Sequence, residues 1–129
     1  MAAGAYSPEV LARFREPSNL GSLPRDDPRV GTGQAGEEGA GRLVRVQLRV
    51  DAGGVVTEAR FKAFGCPATI ACASLVTERA GGASLQELSC VRGSELVEAL
   101  RLAPERRDAA EVAVAALLAA AHDLQSRAG

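Results

Sequence analysis

Arg42-Leu-Val-Arg-Val-Gln-Leu-Arg-Val50 alternates cleanly, with Val44, Val46, Leu48 and Val50 on one side and Arg45, Gln47 and Arg49 on the other. Side chains along a strand change face at every residue, so this pattern marks a strand with one face on a core and one in water. Asp51-Ala-Gly-Gly54 supplies turn residues, and Val55 to Phe64 reads as the return strand of an antiparallel hairpin. Beyond Gly65-Cys66, Pro67 suits a first helical position. Ala68, Cys72, Leu75 and Val76 then share one stripe of a helix that runs to about Ala80 and ends at Gly81-Gly82.

Working outward, Ser7-Pro8-Glu9 has the form of a capped helix start, with Val10, Leu11 and Phe14 on one face and Pro17 as the stop. Ser18 to Gly41 is rich in Gly, Pro and Asp and shows no periodicity beyond a short strand near Val30, so it reads as a long loop. On the C-terminal side, Ser84 and Ser94 look like caps of two short helices. A final Ala-rich helix spans about Glu105 to Gln125, with Ala110, Val114, Leu117, Ala121 and Leu124 on one stripe. A hairpin followed by helices predicts an α+β fold: a small antiparallel sheet of about three strands with helices packed on one face, forming a single domain over residues 1–129.

The 129 residues carry 15 basic and 16 acidic side chains, a formal charge of -1, which argues against nucleic-acid binding through bulk charge. With 25 alanines, no Trp, and only three Phe and one Tyr, the core must be aliphatic and closely packed, and stacking platforms for bases are excluded. Lys62 is the single lysine against fourteen arginines, most simply a bias in nucleotide composition. Cys66, Cys72 and Cys90 form an odd set that suits a cytoplasmic thiol protein better than a disulfide framework. Met1 to Arg15 lacks the apolar core of a leader, and the longest apolar run, Val112 to Ala121, is half of what a membrane span needs.

Gly31-Thr-Gly-Gln-Ala-Gly36 matches the dinucleotide fingerprint by letter only, because the buried strand before it and the helix start after it are missing from its flanks. Cys66 stands where a strand ends and a helix begins, and the positive end of a helix favours thiolate, hence metal ligation or nucleophilic sulfur chemistry; the alternative is a small buried residue at a tight turn. Cys72 falls on the apolar stripe and reads as an inert core residue. Cys90 carries no assignable chemistry, His122 reads as a surface residue of the last helix, and Glu105-Arg-Arg-Asp108 as a solvated first turn.

Tyr6-Ser-Pro-Glu-Val10, Phe14 to Pro17 with Asn19 and Gly21, Val30-Gly-Thr-Gly33, the hairpin, and Ala59-Arg-Phe-Lys-Ala-Phe-Gly-Cys66 together resemble the IscU/NifU N-terminal family of iron-sulfur cluster scaffolds. Ala68-Thr-Ile-Ala71 and Ser74-Leu-Val-Thr-Glu78 continue the resemblance, which covers nearly the whole chain. It implies a site of three cysteines and an aspartate around a [2Fe-2S] cluster or zinc, with a histidine before the last cysteine. Counted from the matched flanks, the cysteine positions are Ala40, Cys66 and Ala109, the aspartate position is Arg42 and the histidine position Asp108. Ala cannot ligate, and a guanidinium repels a cation where the resemblance places a carboxylate. The family's chaperone-recognition segment corresponds to Leu102-Ala-Pro-Glu-Arg106, also altered.

The residues and the resemblance together leave three readings, none of them an enzyme acting on a small substrate. One is a degenerate scaffold homologue that serves iron-sulfur assembly as an adaptor, regulator or subunit of a larger complex. Another is a sulfur acceptor in which Cys66 alone takes a persulfide from a cysteine desulfurase. The last is a binder of iron, zinc or a cluster with a replaced ligand set drawn from Cys66, Asp108 and Glu37 or Glu38.

Overall fold

A computed structural model describes residues 6–128; the N-terminal stretch read as leaderless begins at residues 1–5, outside the described residues. Helix α1 (Pro8–Arg15) opens as its sequence predicts, with the Ser7 hydroxyl accepting from the Val10 amide. The hairpin strands are β2 (Arg42–Val50) and β3 (Val56–Phe64), and helix α2 (Pro67–Ala80) follows. Three further helices are α3 (Leu85–Leu88), α4 (Gly93–Leu100) and α5 (Arg107–Ala128). Ser84 caps α3 in a capping box with Glu87, but Ser94 lies inside α4, whose cap position is Arg92, so the Ser94 cap is corrected.

The main correction concerns the long loop of residues 18–41. Its second half is strand β1 (Val30–Glu37), antiparallel to β2 from Val30 opposite Arg49 to Glu37 opposite Arg42. A meander β1-β2-β3 results. Composition showed only the stretch near Val30 and hid the strand's full length, because its core-face positions Gly31 and Gly33 carry no side chain to count as apolar. They are small because α5 lies directly on them. A Cβ on Gly33 would stand 2.2 Å from the Ala120 nitrogen, and one on Gly31 2.4 Å from the Ala120 oxygen. Backbone-to-backbone approach here replaces the large side chains that the composition lacks.

On the core face, Val44, Val46, Leu48, Ala59 and Phe61 are buried under α2 and α5, with Ala113, Ala116, Leu117 and Ala120 closing from the α5 side. The opposite face is not simply wet. Gln47 is buried, its carbonyl accepting from the Leu23 amide at 2.8 Å and its amide donating to Thr32 Oγ1 at 3.1 Å. Residues 19–21 run beside β3, with the Phe61 amide donating to the Asn19 carbonyl and the Gly21 amide to the Phe61 carbonyl. Polar groups of α2 hold this segment: Ser74 Oγ bonds both the amide and the carbonyl of Ser18, and Asn19 Nδ2 donates to Thr77 Oγ1. Arg13 adds a two-pronged ion pair to Glu78, both contacts at 3.1 Å.

Replacing Gly33 by Ala forces β1 away from α5, and such overpacking costs about 2–3 kcal/mol. Urea unfolding should show a free energy of unfolding lowered by that amount, with an earlier midpoint; a neutral Gly33→Ala would mean that helix and strand do not meet along this line.

Candidate functional site

The alternation that buries Val44, Val46 and Leu48 also places Arg42 on the core face, at the open end of β2 beside the start of α2. There the Arg42 side chain is 17% exposed and spans a small polar cluster. Its Nε donates to Thr69 Oγ1 at 2.9 Å, one terminal nitrogen lies 3.7 Å from Cys66 Sγ, and the other pairs with Asp108 at 3.4 Å. Thr69 Oγ1 in turn sits 3.6 Å from Cys66 Sγ, so with its acceptor side taken by Arg42 its hydroxyl proton is free for the sulfur.

Cys66 occupies the N-cap of α2 and is half-buried. Gly65 makes the turn: its φ is +148°, and a Cβ there would stand 2.8 Å from Thr69 Oγ1. Burial pushes the Cys66 thiol up, but hydrogen bonds from the Thr69 hydroxyl and amide, from Arg42 and from the Ala68 amide outweigh it and bring the thiol down to about 6. Tyr6 closes the other side, its phenol raised by burial and by the neighbouring Cys66, while Arg106 lies over its ring at 4.4 Å. Cys72 contrasts sharply, since burial in α2 pushes its thiol up to about 12.

Asp108, in the first turn of α5, reaches the cluster only through Arg42 and is 78% exposed. Ala109 beside it is buried, and Ala40 is exposed on the turn Glu38–Ala40 between β1 and β2. Glu37 and Glu38 are exposed at that same connection. Among the described residues, no group of three or more His, Cys, Asp or Glu side chains is gathered to hold a metal ion. The donor set therefore does not fit a tetrahedral metal or a cluster, and a guanidinium stands against the one thiolate instead. His122 and Cys90 are exposed away from this cluster. Two participants were missed in the sequence: Thr69, legible only as the third residue of a helix whose cap is a cysteine, and the pairing role of Arg42.

The pH dependence follows from the depressed thiol. Cys66 is thiolate above about pH 6 and protonates below it, so its alkylation by iodoacetamide should show an inflection near that value. The folded state is favoured by this shift fully above the ordinary thiol value of 9.0 and loses the contribution as pH falls through 6. Arg42→Ala should move the alkylation inflection upward toward the ordinary thiol range; an unmoved inflection would remove Arg42 from the thiolate's support. Cys72 should resist alkylation until the protein unfolds.

No helix is long and apolar enough to cross a membrane among the described residues. The family profile described as the NifU-like N-terminal domain matches residues 5–129. The iron-sulfur cluster assembly scaffold protein IscU of Haemophilus influenzae is 37% identical over 125 residues, covering 97% of this chain and 99% of that protein. IscU of Escherichia coli K12 is 36% identical over 123 residues, covering 95% of this chain and 96% of that protein. In structure, the N-terminal part of a nitrogen-fixing NifU-like protein from Brucella abortus superposes with a TM-score of 0.72 at 18% identity, over 92% of this chain and 93% of that one. The three-stranded meander with helices against it is thus the fold of these scaffolds, and the chain belongs to the NifU-like N-terminal domain family of iron-sulfur cluster assembly proteins.

Proposed function

We propose that this chain serves iron-sulfur cluster assembly without building clusters itself, and that its chemical contribution is to accept sulfur on Cys66 from the persulfide of a cysteine desulfurase. One observation carries this reading: the Arg42 guanidinium stands against Cys66 Sγ and Thr69 Oγ1, at a position where the family resemblance implies an aspartate ligand. A cation there opposes a metal and supports a thiolate. The step needs only one nucleophile. The Cys66 thiolate attacks the outer sulfur of the donor's R–S–SH, the new S–S bond forms as the donor's S–S bond breaks, and R–S⁻ leaves. Sulfur changes carrier with no net oxidation. A thiol with its pKa near ambient pH combines a high thiolate fraction with retained nucleophilicity, and about 6 lies close to that condition.

A second reading, an adaptor, regulator or complex subunit without chemistry of its own, is favoured by the exposure of Phe64, 50% accessible two residues before Cys66. Large apolar side chains left in water beside a site suit a protein partner. The two readings part on Cys66.

Wild-type protein incubated with a desulfurase and cysteine should gain one sulfur atom at Cys66, seen by mass spectrometry of the alkylated peptide. Cys66→Ser should gain none; equal sulfur uptake by that variant would leave the adaptor reading. The lost ligands offer a complementary gain-of-function test. Ala40→Cys, Arg42→Asp, Asp108→His and Ala109→Cys combined should restore visible absorbance on anaerobic reconstitution with iron and sulfide. A wild type that reconstitutes as well as this variant would contradict the proposal.

A further inference from the structure

A cavity of about 490 Å³ lies beside the Cys66 cluster, between the start of α1 and the connection from α4 to α5, within the size range of small-molecule sites. It is lined by Tyr6, Ser7, Val10, Arg101, Leu102 and Arg106 among others, and no acidic side chain lines it. The groove of Glu9, Arg13, Glu16 and Glu78 and the one of Arg79, Glu87 and Glu95 carry both signs of charge. Here both guanidiniums are unmatched: among the described residues neither Arg101 nor Arg106 has an ion pair.

Arg106 is also held in place. Arg106 stacks on the Tyr6 ring at 4.4 Å, which fixes its plane and leaves its N–H edges for a ligand. Arg101 ends α4 in the left-handed region, φ 53° and ψ 51°, a position that ordinarily takes glycine. A side chain with a Cβ retained in that conformation is the kind of local strain that accompanies function. Tyr6 lines the cavity, and its phenol is raised by burial and by the nearby Cys66.

We infer that this cavity binds a small thiol bearing carboxylates, of the glutathione or cysteine type, and seats it as a low-molecular-weight donor whose persulfide sulfur passes to Cys66. The planar forks of Arg101 and Arg106 match carboxylates in two-pronged geometry. The inference rests on the sulfur-acceptor reading, and the transfer is the same displacement, with the small thiolate as leaving group.

S-Methylglutathione, which keeps the carboxylates and has no free thiol, separates binding from chemistry. By calorimetry it should bind Cys66→Ser protein and lose about tenfold or more in affinity when Arg101→Ala and Arg106→Ala are added, whereas Arg45→Ala on the outer sheet face should bind as the parent does. Arg106→Lys, which keeps the charge but not the fork, should also weaken binding if the fold is intact by circular dichroism. With glutathione persulfide as donor, the double-arginine variant of the Cys66 protein should show a KM for transfer raised by a similar factor. No binding, or binding equal with and without the two arginines, overturns the inference, even where a desulfurase still loads Cys66 and the function reading stands. Inorganic phosphate that binds as tightly and competes overturns the carboxylate class. Binding that depends on the arginines, together with a Cys66 that takes sulfur from no donor, supports the carboxylate site and counts against the sulfur-acceptor reading.

Discussion

The contact on which the rest of the structure depends is the backbone-to-backbone approach of α5 to β1 across Gly31 and Gly33. A chain with few aromatic side chains cannot fill a wide gap between sheet and helix, so it closes the gap instead. Alanines at 113, 116 and 120 and glycines on the facing strand bring the two main chains together, and apolar burial then comes from many small contacts rather than a few large ones. This close seating also has a consequence at the far end of the helix. The first turn of α5, with Asp108 and Ala109, is fixed against the open end of β2, where Arg42 leaves the core face.

The site inherits its geometry from three such fixed edges. β2 presents Arg42, the Gly65 turn presents Cys66 at the head of α2, and Thr69 one turn later receives Arg42 Nε while facing the sulfur. In the IscU/NifU family, by the resemblance, these edges converge on metal ligands. Here they converge on a guanidinium and a thiolate. A guanidinium held at this position opposes a bound cation and favours the ionised sulfur.

Much of this was legible from residues alone, for physical reasons. The hairpin announced itself because every core-facing position from Val44 to Leu48 is aliphatic, and α2 because Pro67 and Gly81-Gly82 bracket its stripe. Cys66 could be placed at a strand-to-helix turn, and Cys72 on a buried stripe, from spacing only. β1 was legible only as a short strand near Val30, since a strand whose core positions are glycine has no hydrophobic alternation; the rest of its signal resides in α5, which is unusually small on the facing side. Gln47 was misread as solvated because its partners, the Leu23 amide and Thr32, come from a segment that sequence pattern leaves unplaced. Thr69 stands at a helix-start spacing from Cys66 that local pattern allows, but the approach of Arg42 to the sulfur spans 24 residues and no local pattern encodes it.

The central claim is that this member of the family carries sulfur on one thiolate and does not carry a cluster. A native mass spectrum of the wild-type chain, taken after anaerobic incubation with a cysteine desulfurase, cysteine and ferrous iron, tests it most directly. The account predicts the mass of the chain plus a single sulfur, without iron. A species carrying iron and sulfide together would contradict it.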